Sequence, residues 1–232
     1  MGESYELRSA IERLYAVFEP YQIEHLTAGD LERYAFKAMT TWGSVEDFKH
    51  FLPRVLELAA AGAFGASVDV EVIFSKLEYA DWIEWSEGER AAVDDYLRAL
   101  WLDLLSRYPH PLESDVCLCA IGNAVDQMAF YLHAWSAAEA CPPMLHLADF
   151  VDANVGPVYG KRQTAVLRNA FWDDRPEQAK QVSDWLLDPA RVRQIKDAFF
   201  RCGGGEAERL LSAAREQIEL LHRIAENKHR RG

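Results

Sequence analysis

The stretch SVEDFKHFLPRVLELAA, residues 44–60, decides the fold of this chain. It opens with Ser44 and a carboxylate three residues later at Asp47, which is a start signal for a helix. Pro53 lies inside the stretch and predicts a kink. The apolar side chains recur every three or four residues and so share one helix face: Val45, Phe48, Leu52, Val55, Leu56 and Ala59.

The same helical period continues along the chain. Thr27 and Ser86 are each followed three residues later by a carboxylate, and Asp188 precedes a proline, as an N-cap precedes the first helical position. We therefore predict an all-α fold of about ten helices. The proline-then-leucine pattern of residues 51–58 suggests a short HEAT-like α-solenoid, and an irregular helical bundle is the alternative.

The longest apolar stretch predicts one core helix over residues 113–138. It carries several polar residues, Asp126 among them, that a lipid-facing helix would avoid, so we do not interpret it as a membrane span. Shorter helices are predicted over residues 144–155 and 161–173.

Three consecutive glycines at 203–205 predict a hinge. We expect a single helical domain over residues 1–202 and a C-terminal amphipathic helix over 203–232. Its apolar seam runs at alternating spacings of three and four, through Leu211, Ala214, Ile218, Leu221 and Ala225. Two heptads are marginal alone, so we expect the helix to dock on its own domain in a monomer, and a homodimer through this helix is the alternative.

The charge excludes some classes of partner. The chain has 25 basic and 37 acidic side chains, a formal charge of −12. Such a chain is repelled by phosphate backbones and anionic lipids, so we expect neither nucleic acid nor membrane as a partner. The short basic run at residues 228–231 is a poor platform for either. A protein partner with a basic surface fits the acidic balance.

The cysteines and the N-terminus point to the cytoplasm. Cys117 and Cys119 lack the spacing of redox or zinc motifs, and we interpret them, with Cys141 and Cys202, as buried, reduced small hydrophobes. The first residues contain no apolar run of the kind found in signal peptides. We therefore expect a cytoplasmic protein.

The stretch YAFKAMTTWGSVEDFKHFLP, residues 34–53, resembles the signature segment of a family of uncharacterised bacterial proteins. The resemblance is close over these residues and looser elsewhere. That family has no assigned activity, so the resemblance implies a bacterial cytosolic protein and little more. Some members carry a Cys-Pro-Cys-Cys-like insert between the first two helices. The corresponding residues 20–26 have no cysteine here, so a metal role of that insert is not carried over.

Two carboxylate–histidine pairs have helical spacing. Asp47 and His50 are three residues apart, as are His146 and Asp149. Such pairs on facing helices build metal sites in helical bundles. The full di-iron pattern is absent, so we predict no metal and no cofactor, and ordinary solvated or hydrogen-bonded side chains are the simpler interpretation.

Two further residues are candidates for ligand binding. Asp126, with Asn123 and His133, lies in the most apolar predicted helix, where it would line a pocket or belong to a structural polar network. Trp42 directly precedes the helix that starts at Ser44, and a helix N-terminus can receive an anion. Alternatively, Trp42 is a lid packed on the core.

The common enzyme motifs are absent: no G-x-S-x-G, Walker loop, G-x-G-x-x-G or H-E-x-x-H occurs. This favours a binding protein over an enzyme. The first hypothesis is a protein-binding module, in a sharper form an acidic inhibitor or immunity-type protein. The alternative is an enzyme or a small-ligand or metal-binding protein with a site between helices.

Overall fold

A computed structural model describes residues 3–154 and 167–229, with side chains up to residue 223. Within these ranges the chain forms eleven α-helices and no strand, which confirms the predicted all-α class. The solenoid and the bundle both remain predictions. The helices are α1 (Tyr5–Phe18), α2 (Ala28–Lys37), α3 (Val45–Ala60), α4 (Val70–Tyr79), α5 (Glu87–Ser106), α6 (Ser114–Ala124), α7 (Ala129–Ala137), α8 (Cys141–Asn154), α9 (Pro176–Leu186), α10 (Pro189–Cys202) and α11 (Gly205–His229).

The start signals in the sequence are confirmed as helix caps. In α2 and α3 the N-cap hydroxyl and the N3 carboxylate satisfy each other's backbone N–H groups, as in a capping box. At α3, Ser44 N donates to Asp47 Oδ2 at 2.7 Å, and Asp47 N donates to Ser44 Oγ at 3.2 Å. Asp188 caps α10 with a single bond, in which its Oδ1 accepts from Ala190 N at 2.8 Å.

The prediction of a single core helix over residues 113–138 is wrong. The chain leaves the helix after Ala124 and re-enters one at Ala129. Side chains of α9 replace the lost helical bonds: Gln181 Nε2 donates to the Asp126 carbonyl at 3.1 Å, and Gln181 Oε1 accepts from Met128 N at 2.9 Å. The interruption therefore lets Asp126 stand in solvent rather than in the core.

Two other helix predictions differ from the structure. The helix predicted over residues 144–155 begins earlier, at Cys141, since prolines 142 and 143 fit its first turn. Of the helix predicted over 161–173, residues 161–166 lie outside the described ranges, and Ala170–Trp172 form a 3-10 turn. Ala225 and the basic run 228–231 lie beyond the side chains that the structure describes.

The chain forms two compact units. The first comprises Met1–Leu104, His110–Leu112 and Val116–Val125, and the second comprises Leu105–Pro109, Glu113–Asp115 and Asp126–Gly232. Within the first, α1 packs on α3, and α2 packs on α3 and α4. Within the second, α11 packs along α8 and α10. The two units divide the chain around residues 105–126. The separation of residues 203–232 as a C-terminal helix docked on a single domain stays a prediction.

Large apolar side chains fill each core. In the first unit, Phe48, Phe74, Tyr96 and Trp101 are almost fully buried, and the Tyr96 hydroxyl donates to the Leu56 carbonyl at 2.7 Å. In the second unit the buried residues include the seam of α11, namely Leu211, Ala214, Ile218 and Leu221. No helix within the described residues is both long enough and apolar enough to cross a bilayer.

One cysteine prediction is wrong. Cys141, the first residue of α8, and Cys202, the last residue of α10, form a disulfide with their Cα atoms 5.6 Å apart. Helical spacing could not reveal this pair, because 61 positions separate the two cysteines in sequence and only the packing of α8 on α10 brings them together. Cys117 and Cys119 are free and buried, as predicted.

Candidate functional site

The Asp47–His50 pair lies at the start of α3, in the first unit. The Asp47 carboxylate accepts hydrogen bonds from the backbone N–H and the hydroxyl of Ser44, and these bonds hold its pKa below the ordinary value. The His50 ring packs edge-on against Phe51, with centroids 4.9 Å apart. Asp47 thus already serves as the cap of α3, which accounts for its position without a ligand.

Trp42 is an exposed aromatic residue between α2 and α3. Its side chain is 40% exposed, so it is not a lid on the core. The Arg33 guanidinium lies 5.2 Å and the Lys37 ammonium 5.5 Å from the indole ring. Such cation–π contacts are favourable at the surface, and they occupy the ring with the chain's own cations.

The His146–Asp149 pair lies on α8, in the second unit. His146 is buried, and its Nε2 lies 2.9 Å from the Arg107 carbonyl oxygen. Asp149 accepts a hydrogen bond from the Tyr108 hydroxyl. Burial raises the pKa of Asp149, and that bond opposes the rise. Both side chains therefore fasten α8 to the segment around residue 108.

Asp126 stands at the rim of an open, polar pocket in the second unit. Its carboxylate is 81% exposed and accepts from Arg175 Nη2 at 3.1 Å, so Asp126 lies at the surface rather than inside an apolar helix. Asn123, by contrast, is buried and donates to the Cys119 carbonyl, and His133 is exposed. The pocket has a volume of about 370 Å³ and is lined by Asp126, Gln127, Asp174, Arg175, Glu177, Gln178 and Gln181.

The six candidate residues thus fall into separate places. Trp42, Asp47 and His50 belong to the first unit, and Asp126, His146 and Asp149 to the second. Within the part of the chain that the structure describes, no three His, Cys, Asp or Glu side chains converge as metal ligands do.

A surface that the sequence reasoning missed lies between α4 and α5 in the first unit. It consists of six exposed residues, which we call the 78–87 surface: Glu78, Tyr79, Asp81, Ile83, Glu84 and Glu87. Tyr79 is 63% and Ile83 53% exposed. Two large side chains, one aromatic and one aliphatic, are therefore exposed to solvent near four carboxylates. The Lys76 ammonium lies 5.5 Å from the Tyr79 ring and leaves most of that side chain exposed. Arg90 borders the surface and donates to the Ile83 carbonyl at 3.0 Å.

Two buried tryptophans hold this surface in one conformation. Trp82 Nε1 donates to the Ala124 carbonyl, and Trp85 Nε1 donates to the Ala80 carbonyl, each at 2.8 Å. The backbone between them forms a 3-10 turn, Trp82–Glu84. Since both indoles point into the core, the turn presents Ile83 outward.

Comparisons with family models, curated proteins and solved structures find no match to this chain.

The negative charge is unevenly divided between the units. The residues of the first unit include 20 Asp and Glu against 9 Lys and Arg, and those of the second include 17 against 16. Nearly the whole formal charge of the chain thus belongs to the first unit, which also carries the 78–87 surface.

A local signal could have identified this surface from the sequence. Residues 69–89 contain seven acidic side chains and one lysine, together with Tyr79 and Ile83. The helical period accounts for the buried Trp82 and Trp85 but leaves these two apolar residues outside the buried face. An apolar residue that a helical pattern leaves among carboxylates is a candidate contact for a partner.

Proposed function

We propose that this chain is a protein-binding module that receives a basic partner on the 78–87 surface. The observation that carries the proposal is the exposure of Tyr79 and Ile83 among four carboxylates on the acidic unit. An enzymatic function has no comparable support, because the candidate carboxylate–histidine pairs are engaged in caps and packing contacts.

The composition of the surface suits binding. Interfaces draw most of their energy from a few large side chains, among which Tyr is enriched, surrounded by polar groups. Because the two indole hydrogen bonds fix the turn, little conformational freedom is left to lose when a partner docks on Ile83. The carboxylates would attract a basic surface and raise the association rate.

The charge of the first unit supports a more specific form of the proposal. A unit with 20 acidic and 9 basic side chains attracts cationic proteins over a distance of about one Debye length, ~8 Å at physiological salt. An acidic inhibitor or immunity-type protein, which masks a basic functional surface on its target, has this property. The partner we propose therefore presents Lys and Arg around an apolar recess that accepts Tyr79 or Ile83.

Capture from an extract of the source organism, followed by binding assays with the purified partner, tests this proposal. We expect the double variant Tyr79→Ala/Ile83→Ala to weaken binding by roughly 100-fold, since two interface anchors are truncated. The matched control is Tyr5→Ala/Tyr21→Ala, which removes side chains that are 79% and 74% exposed on the same unit. We expect this control to bind as the wild type does.

A charge variant and salt separate the polar from the apolar contribution. Glu84→Lys/Glu87→Lys should slow association, and raising the salt from about 0.05 M to 0.5 M should do the same to the wild type. The proposal fails if no stoichiometric partner is captured, or if the partner binds the Tyr79→Ala/Ile83→Ala protein with unchanged affinity.

A cytoplasmic location belongs to this proposal. The buried, free Cys117 and Cys119 fit it. The Cys141–Cys202 bond argues against it, because disulfides are rare in cytosolic proteins. Thiol trapping in intact cells decides the matter: a cytoplasmic protein should yield all four cysteines to the alkylating agent after denaturation, and a protein from an oxidising compartment only two.

A further inference from the structure

A buried guanidinium in the second unit lies among polar groups of three elements. Arg191, in the first turn of α10, is 5% exposed. Its Nη1 donates to Ser136 Oγ at 2.6 Å, and the guanidinium stacks 4.8 Å from the ring centre of Trp185 on α9. Within the described residues, Arg191 forms no salt bridge.

The Ser136 hydroxyl has no capacity left for a ligand. It accepts from Arg191 Nη1 and from Trp185 Nε1, and it donates to the Leu132 carbonyl at 2.8 Å. A hydroxyl group has one donor and two acceptor positions, and all three are used. Ser136 therefore fixes the position of the guanidinium.

Two buried atoms next to this contact have no hydrogen-bond partner in the part of the chain that the structure describes. They are Nε of Arg191, a donor, and Oε1 of Gln194, an acceptor. The two residues are three apart on α10, so their side chains are neighbours on one face. The Gln194 amide is held in its orientation, because Nε2 donates to the Ser136 carbonyl at 2.6 Å. Both atoms carry a desolvation cost that a suitable ligand would remove.

Among the described residues, no acidic side chain forms an ion pair with Arg191. Asp188 is the acidic residue that acts on it electrostatically, but the Asp188 side chain is exposed and caps α10 through Ala190 N. Burial lowers the pKa of the Arg191 guanidinium, although arginine stays protonated in proteins. A buried, unpaired cation is costly and calls for an anion.

We propose that Arg191 and Gln194 form a binding site for a small oxyanion that also carries a hydrogen-bond donor, the chemistry of a short hydroxycarboxylate or of hydrogen phosphate. One anionic oxygen accepts from Arg191 Nε and neutralises the guanidinium. The ligand's own O–H donates to Gln194 Oε1. The ligand is small, because the receiving atoms are buried. This site is separate from the 78–87 surface and does not depend on the proposed function.

Tryptophan fluorescence offers a direct readout of this site. Trp185 donates to Ser136, contacts Arg191 and stacks on Trp135, with ring centroids 5.1 Å apart. The full chain is titrated with glycolate, acetate and inorganic phosphate at constant ionic strength, with chloride as the compensating salt. Thermal unfolding of the same samples is followed in parallel.

We expect a saturable fluorescence change and a rise in Tm with glycolate or with phosphate, and whichever is stronger identifies the source of the oxyanion. Acetate lacks the O–H group and leaves Gln194 Oε1 unpaired, so it should bind roughly tenfold more weakly than glycolate. Gln194→Met removes the acceptor and should make glycolate and acetate equal. Arg191→Met should abolish saturable binding, and Arg193→Met, on the exposed side of the same helix, should not.

Two results would overturn the proposal. One is the absence of a saturable response to all three anions, which would mean that only water bridges the two atoms. The other is a response that persists in Arg191→Met. If that variant does not fold, Arg191→Lys replaces it, because lysine keeps the charge but has no Nε donor on its stem, and unchanged binding by it counts equally against the site.

Discussion

The two units share a helical period but differ in their balance of acidic and basic side chains. The first has 20 acidic and 9 basic side chains, and the second has 17 and 16. In the first unit the buried His110 and Asp103 side chains are paired, with Nε2 3.1 Å from Oδ2, whereas the buried Lys76 forms no salt bridge within the described residues and lies 5.5 Å from the ring centre of Tyr79. In the second, the buried Arg191 has no ion-pair partner within the described residues, and a disulfide crosslinks two helices. The helical period that the two units share therefore does not determine how the buried charges of each unit are paired.

The paired carboxylate of the first unit connects three segments. Asp103 Oδ1 accepts from Ser4 N at 2.7 Å, and His110 Nδ1 accepts from Leu112 N at 3.0 Å. The ring hydrogen must then lie on Nε2, which donates to Asp103. This arrangement ties the start of the chain to α5 and to residues 110–112.

The largest difference between the units should appear on reduction. The Cys141–Cys202 bond closes a loop with a sequence separation of 61, for which chain entropy gives about 4 kcal/mol. We expect reductant, or Cys141→Ser/Cys202→Ser, to lower the free energy of unfolding of the second unit by about 2–4 kcal/mol. Hydrogen exchange resolved by peptide should show the loss in α8, α10 and α11.

The double serine variant is its own control for reduction. Reductant should leave its unfolding unchanged, because Cys117 and Cys119 are already free. If hydrogen exchange accelerates as much in α1–α4 as in α8, the disulfide does not stabilise the second unit alone, and the expected difference between the units is wrong.

The sequence predicts much of this fold because helix signals are local. The caps at Ser44 and Asp188 and the apolar seam of α11 depend only on residues within a turn or two of each other. The break in the helix at residues 125–128 depends on Gln181, more than 50 residues away, so no local sequence pattern predicts it.

Candidate sites are harder to predict than helices, since they depend on which residues meet in space. Asp47 and His50 have the spacing of metal ligands, yet the same spacing serves a helix cap. Arg191 and Gln194 look like ordinary polar residues of an amphipathic helix. Only the packing of α7 and α9 around them shows that Nε and Oε1 have no hydrogen-bond partner among the residues that the structure describes.

The second largest effect should come from Asp103 in the first unit. Asp103→Ala leaves the Ser4 N–H and the buried His110 ring without their acceptor, so we expect a loss of about 3 kcal/mol in the free energy of unfolding. Asp94→Ala is the matched control on the same helix, since its pair with Arg98 is partly exposed, and should cost less than about 1 kcal/mol. Denaturant unfolding measures both, and equal losses would refute a special role for the buried pair.

The smallest expected effect concerns Asp149 in the second unit and has the opposite sign. Burial is the main cause that raises the pKa of Asp149, and Glu113, Asp152 and Asp115 add to it. A carboxyl group whose pKa is higher in the folded than in the unfolded state binds protons more strongly when folded. Its contribution is therefore most favourable at low pH and is lost as the pH rises from about the ordinary value of 3.8 through the folded pKa.

Asp149→Asn should consequently stabilise the second unit at pH 7, by less than about 1 kcal/mol because the group is half-exposed and screened. The asparagine still accepts from the Tyr108 hydroxyl, so the gain in the free energy of unfolding measures the effect of the charge alone. Glu139→Gln, at an exposed side chain of the second unit, controls for the removal of one negative charge and should gain less. Burial and the Asp149 carboxylate together raise the pKa of Tyr108 to about 12, so Asp149→Asn should also lower that pKa in a spectrophotometric titration. The opposite outcome is a variant that is less stable than the wild type at pH 7 and has an unchanged tyrosine titration. It would mean that the Asp149 carboxylate stabilises the folded state through its hydrogen bond, and that its charge does not destabilise the folded state.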